Sequence, residues 1–137
     1  MTDLSSSSDQ FLTPEECAEV DSTLMPARDR FSARVAIYAL RSLKQIAEQT
    51  GVPIGELTDR QIIHWVEQDP VLRPEHGFDT SFKGFFAKLV LASLKPLRQI
   101  SQENGSAIET LTLSQVVNWF EQQAKLRIQQ EDGPPFP

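Results

Sequence analysis

The sequence predicts an all-α fold, a pseudo-two-fold bundle of two tandem helical hairpins preceded by a short acidic helix. Three observations lead there. Residues 43–68, LKQIAEQTGVPIGELTDRQIIHWVEQ, return 54 positions later without a gap as LRQISQENGSAIETLTLSQVVNWFEQ, residues 97–122. Extended back to Phe31 and Phe85, the copies agree at Ala33, Leu40, Leu43, Gln45, Ile46, Gly51, Ile54, Leu57, Thr58, Gln61, Trp65, Glu67 and Gln68, which marks a duplicated supersecondary unit. Within each copy the apolar residues recur at helical spacing. A glycine, Gly51 or Gly105, also falls where a helix needs a left-handed C-terminal residue.

Taken in order, residues 1–12 open with a serine run and read as a disordered lead-in. Thr13-Pro14-Glu15-Glu16 is a helix start, with Thr13 as N-cap, proline at the first helical position and acids in the first turn. This acidic helix is expected to reach Leu24 and stop before Pro26. Pro26 opens the next helix, whose stripe of Phe31, Val35, Tyr38, Ala39, Ser42 and Ile46 carries it to about Thr50. VPIGEL after Gly51 has room for one helical turn. Thr58 and Gln61 then have capping-box spacing, as do Thr112 and Gln115, and each pair opens a Trp-bearing helix.

Residues 70–79, with two prolines and a glycine, form the linker between repeat one (26–69) and repeat two (80–130). Its Val71, Leu72 and Phe78 are expected to lie on the protein. The whole of 13–130 is read as one helical domain, and residues 131–137 as an extended tail. Neither hairpin can cover its own apolar face, so the copies are expected to pack on each other. They differ at one structurally decisive position. Pro96 stands where the first copy has Ser42 and must remove a helical hydrogen bond, so a kink or break is expected there.

The formal net charge of −6 counts against nucleic acid as the main partner, because phosphate contacts supply much of such affinity. The charge is uneven. Residues 1–30 hold seven acids against two arginines, whereas Lys83, Lys88, Lys95, Arg98, Lys125 and Arg127 make the second copy mildly basic. No apolar run approaches bilayer-spanning length, and the first residues lack the pattern of a secretory signal. Cys17 is the only cysteine and sits among Glu15, Glu16 and Glu19, which disfavour a reactive thiolate. A cytoplasmic protein is the expectation.

Residues 42–62 have the small, turn and apolar positions of a helix-turn-helix, but Glu56 and Asp59 face the place where phosphates would lie, with only Arg60 as a cation. Residues 111–127, LTLSQVVNWFEQQAKLR, resemble the recognition helix of a homeodomain in the core positions Leu111, Gln115, Val116, Trp119 and Phe120. That resemblance would place the family's adenine-contacting asparagine on Gln122 and its following arginines on Gln123 and Ala124. The packing half of the pattern is present and the DNA-contacting half is not, so duplication within the chain accounts for the motif. His64 and His76 are isolated, with no ligand spacing for a metal, and no cofactor is implied. No Ser-His-Asp spacing, phosphate-binding glycine loop or paired-carboxylate pattern points to an enzyme.

The feature that points to function is a difference between the copies. Phe82, Phe86 and Val90 replace Arg28, Ser32 and Ala36 at i, i+4 and i+8, giving the second copy an extra apolar stripe. Burying a phenylalanine stabilises by about 2–3 kcal/mol, so the stripe must be covered. The cover is either the acidic helix or Phe78 from within the chain, or a partner protein or second copy of the chain selected by Lys83 and Lys88. The resulting expectation is a non-enzymatic helical protein–protein interaction or adaptor module, with self-association as one form that interaction can take. A DNA- or RNA-binding regulator is the alternative.

Overall fold

Thr13 opens the first helix of the computed structural model, which describes residues 11–131 and is all-helical over that range. The Thr13 hydroxyl accepts the Glu16 N–H at 3.2 Å, and the Glu16 carboxylate accepts the Thr13 N–H at 2.9 Å. This reciprocal box starts α1, Pro14–Asp21. The helix stops short of the expected Leu24. The hydroxyls of Ser22 and Thr23 turn back onto the carbonyls of Glu19 and Val20, at 2.8 and 2.7 Å, and compete with further helical bonding.

Helix α2, Ala27–Thr50, is unbroken and ends on Gly51 at φ 71°, whose N–H donates to the Ala47 carbonyl at 2.8 Å. A single 3-10 turn, Ile54–Glu56, leads to α3, Asp59–Glu67, capped by the reciprocal Thr58–Gln61 pair. The same local structures recur at the 54-residue offset. Gly105 has φ 61°, Ile108–Thr110 is a 3-10 turn, and Thr112 and Gln115 exchange hydrogen bonds of 2.8 and 3.2 Å before α6, Leu113–Glu131.

The expected interruption is present. The counterpart of α2 is split into α4, Thr80–Ala92, and α5, Leu94–Asn104. Pro96 has no N–H to offer the Ala92 carbonyl, and the Ser93 hydroxyl donates to the Leu89 carbonyl at 3.1 Å. Ser42, at the matching place in α2, is buried within a continuous helix.

Packing runs mainly between the copies. α2 lies chiefly against α6, and α3 chiefly against α4, while α1 lies on α2 and α6. The core so formed includes Leu43, Ile46, Ile62, Val66, Leu97, Ile100 and Val116. In the linker Leu72 and Phe78 are buried as expected, and Val71 is exposed. The disordered lead-in of residues 1–12 needs a correction at its end. Residues 1–10 lie outside the described range, but Phe11 is buried against Tyr38 and Phe86, so ordered packing begins there. Of the tail expected over residues 131–137, Glu131 is instead the last residue of the final helix, and residues 132–137 are likewise outside that range. Among the described residues no helix is long and apolar enough to cross a membrane.

Candidate functional site

Helix α4 is rich in apolar residues, with Phe82, Phe85, Phe86, Leu89, Val90 and Leu91 in thirteen residues and only Lys83 and Lys88 charged. A helix of that composition is normally enclosed all round. Here one side, Phe86, Ala87 and Val90, is buried, and the other leaves Phe85 55% and Phe82 37% exposed.

This divides the candidate residues. Phe86 and Val90 are core residues at 1% and 0% exposure, and no partner can reach them. The cover comes from within the chain. The Phe86 ring meets Phe11 at 5.1 Å, Tyr38 at 5.2 Å and Phe78 at 5.5 Å between centroids. Phe78 was one of the two covers expected, and Phe11 takes the place of the acidic helix, which packs elsewhere. Phe82 sits at the margin, 5.2 Å from Phe78 and 6.0 Å from Phe85. Lys83 and Lys88 do not form one cationic site. Five residues apart, they point about 140° from each other around the helix. Lys83 is half-buried and Lys88 is exposed.

Beside the outward side of α4 runs a groove of about 210 Å³, lined by Phe31 and Val35 of α2, Leu89 and Ala92 of α4, Pro96 of α5, and Phe120 of α6. It lies beside the α4–α5 break, where Pro96 ends the continuous ladder. Phe31 and Phe85 share a repeat position, and both are exposed. Comparing the copies for differences could not find them, because they are identical. The available signal was the composition of α4, which has more apolar residues than one buried face can use.

Several charged side chains elsewhere hold the bundle together. Arg41 donates to the Glu16 carboxylate at 2.6 Å and to the Phe11 carbonyl at 2.5 Å, and its guanidinium lies 5.7 Å from the centre of the Tyr38 ring. Tyr38 donates to the buried Asp69 carboxylate at 2.5 Å, and the other oxygen of Asp69 accepts the Val71 N–H at 3.0 Å. Burial first, and then the Asp69 carboxylate, push the Tyr38 hydroxyl far above its ordinary ionisation range. Arg127 grips both oxygens of Asp29, at 2.6 Å each, and holds that carboxyl below its usual range despite the opposing effect of burial. Lys44 of α2 donates to the Leu111 carbonyl at 2.8 Å, and the Ile54 N–H donates to Glu109 at 2.8 Å, the second bond tying the two inter-helix turns together.

The two DNA-binding resemblances describe packing. Ile62 and Val66 of α3 are buried, as is Ala124, where the homeodomain pattern would want a DNA-contacting arginine.

The molecule is thus an all-helical domain in which several charged side chains tie one element to another and the outward side of α4 leaves Phe82 and Phe85 to solvent. Residues 12–127 match the family model described as NDH complex assembly factor CRR9, and the chain belongs to that family. No curated protein and no solved structure matches it.

Proposed function

We propose that the protein is a non-enzymatic helical adaptor that binds a protein partner during assembly of the NDH complex, through the outward face of α4. Membership of a family of NDH complex assembly factors supports the process. The observation that carries the surface is the exposure of Phe85 and Phe82 on a helix whose other side is already buried. An apolar helix face left to water is a recurrent feature of sites that bind protein, where a few large side chains carry most of the affinity. Of the residues expected from sequence, Phe82 and Lys88 belong to this surface, with Phe85 and Leu89 added. Phe86, Val90 and Lys83 do not belong to it.

The test is complementation. In cells of the source organism lacking this chain, accumulation of the NDH complex is followed on native gels after supplying either the unaltered protein or the double variant Phe85→Ser, Leu89→Ser. The unaltered protein restores the complex. The double variant folds, by circular dichroism, and does not restore it. Full restoration by the folded variant overturns the surface, and normal accumulation without the chain overturns the assembly role. Light scattering on both proteins shows whether the face also joins two copies of the chain.

A further inference from the structure

The groove beside the α4–α5 break is mainly apolar inside, and the helices that wall it carry Arg28, Lys88 and Lys95 within three residues of its lining, in a chain whose net charge is −6. On the α2 wall, Arg28 stands at i, i+3, i+4 and i+7 spacing with Phe31, Ser32 and Val35, so it shares their face. On the facing wall, Lys88 and Lys95 flank the lining residues Leu89 and Ala92 in the sequence. All three cations are exposed, and none is in an ion pair among the described residues.

Few acids lie near this rim in the sequence: Asp29 beside Arg28 and Glu121 beside Phe120. Residues 80–102, which make up α4 and nearly all of α5, contain no Asp or Glu. Asp29, next to Arg28, has both oxygens held by Arg127. Asp29 therefore answers Arg28 only through space, and Lys88 and Lys95 have no ion-pair partner among the described residues. The groove is also small. At about 210 Å³ it lies below the roughly 300–1,000 Å³ typical of small-molecule pockets, and it suits one or two anchoring side chains better than a whole ligand.

Resting on the adaptor reading above, we infer that this groove receives an amphipathic α-helical segment of the partner protein, whose apolar stripe is bordered by carboxylates. Leucine or phenylalanine anchors enter between Phe31, Leu89, Pro96 and Phe120, and the bordering Glu or Asp side chains meet Arg28, Lys88 and Lys95. The apolar anchors hold the complex together, and the charges choose the partner and speed its arrival.

The probes are two labelled synthetic helical peptides with identical apolar positions, one bordered by glutamates and the other by lysines. A single-stranded RNA of mixed sequence is the third probe. Each is titrated with the full chain by fluorescence anisotropy. The glutamate peptide binds about tenfold more tightly than the lysine peptide at low salt, as expected for a few exposed ion pairs, and the gap narrows as salt rises. Lys88→Glu combined with Lys95→Glu, both at exposed positions, reverses the preference, and Leu89→Ser weakens both peptides. Equal binding of the two peptides, or a preference that survives the double charge reversal, overturns the acidic partner while leaving the adaptor reading standing. Binding of neither peptide overturns the groove as a docking site, and with full restoration by Phe85→Ser, Leu89→Ser it overturns the adaptor surface too. RNA bound more tightly than either peptide overturns the inference in favour of a nucleic-acid partner.

Discussion

Arg127, near the end of the last helix, closes on Asp29, in the first turn of the longest, through two parallel 2.6 Å hydrogen bonds. The pair spans 98 positions of sequence and fixes α6 along α2. Bidentate geometry makes it stronger than an ordinary surface pair, and the Asp29 side chain is only 12% exposed. Arg127→Met leaves that carboxylate without its main partner and should cost about 1–3 kcal/mol in chemical denaturation at neutral pH. Arg127→Lys recovers only part, because an ammonium cannot match the fork.

The same pair has an acid signature. The folded-state pKa of Asp29 is lowered from the ordinary 3.8, so the folded protein holds its ionised form more firmly than the unfolded chain does. Its stabilisation is complete above the unfolded pKa and is lost as pH falls through the lower, folded one. The stability difference between the unaltered protein and Asp29→Asn should therefore hold steady from neutral pH to about pH 4–5 and shrink below that. Denaturation midpoints measured across that range check it.

Tyr38 is the single tyrosine of the chain, so its ionisation can be followed directly. Its pKa is raised from the ordinary 10.0 by burial and by the Asp69 carboxylate. The tyrosinate absorbance should be missing from the folded protein in a titration through pH 10 to 11 and should appear when denaturant is added. Because the shift is upward, this contribution to stability is full below the unfolded pKa and declines as pH rises above it. Tyr38→Phe should cost about 1–3 kcal/mol, since Asp69 would keep only the Val71 N–H as partner.

Pro96 and Ser42 occupy matching positions, yet exchanging them should be strongly asymmetric. Pro96 is in the first turn of α5, where a missing N–H costs little, so Pro96→Ala should change stability by less than about 1 kcal/mol. Ser42→Pro would strike the interior of the unbroken α2 and should cost about 3 kcal/mol or more. Thermal melts of the two variants decide it.

Three phenylalanines separate core from surface. Phe11→Ala and Phe86→Ala each remove a ring from one buried aromatic cluster and should cost about 3–5 kcal/mol. Phe85→Ala, on the outward side of α4, should cost less than about 1 kcal/mol while weakening partner binding. Urea titrations of the three rank them.

The helices, their caps and the break at Pro96 were legible because each depends on neighbours in sequence. A Thr–Gln pair three residues apart, a glycine after the last turn and a proline inside one are local chemistry. What could not be read was which face meets which. Periodicity shows that Ile62 and Val66 share a side, but not that this side lies chiefly against α4, nor that α6 lies against α2. The candidate site was half legible for the same reason. The stripe Phe82, Phe86 and Val90 is real, but its cover includes Phe11, a residue in a segment whose composition gave no sign of packing. Phe31 and Phe85 do not stand out in a comparison of the copies, because identity between copies does not distinguish a buried residue from an exposed one.

The pairing of α2 with α6 also constrains how the chain is made. On the ribosome, α2 emerges early and its natural cover is the last helix to appear. Its side toward Val116 therefore has no native cover for the time taken to synthesise about sixty further residues, some seconds at ordinary elongation rates. Non-local pairing of this kind slows folding and lengthens exposure to aggregation.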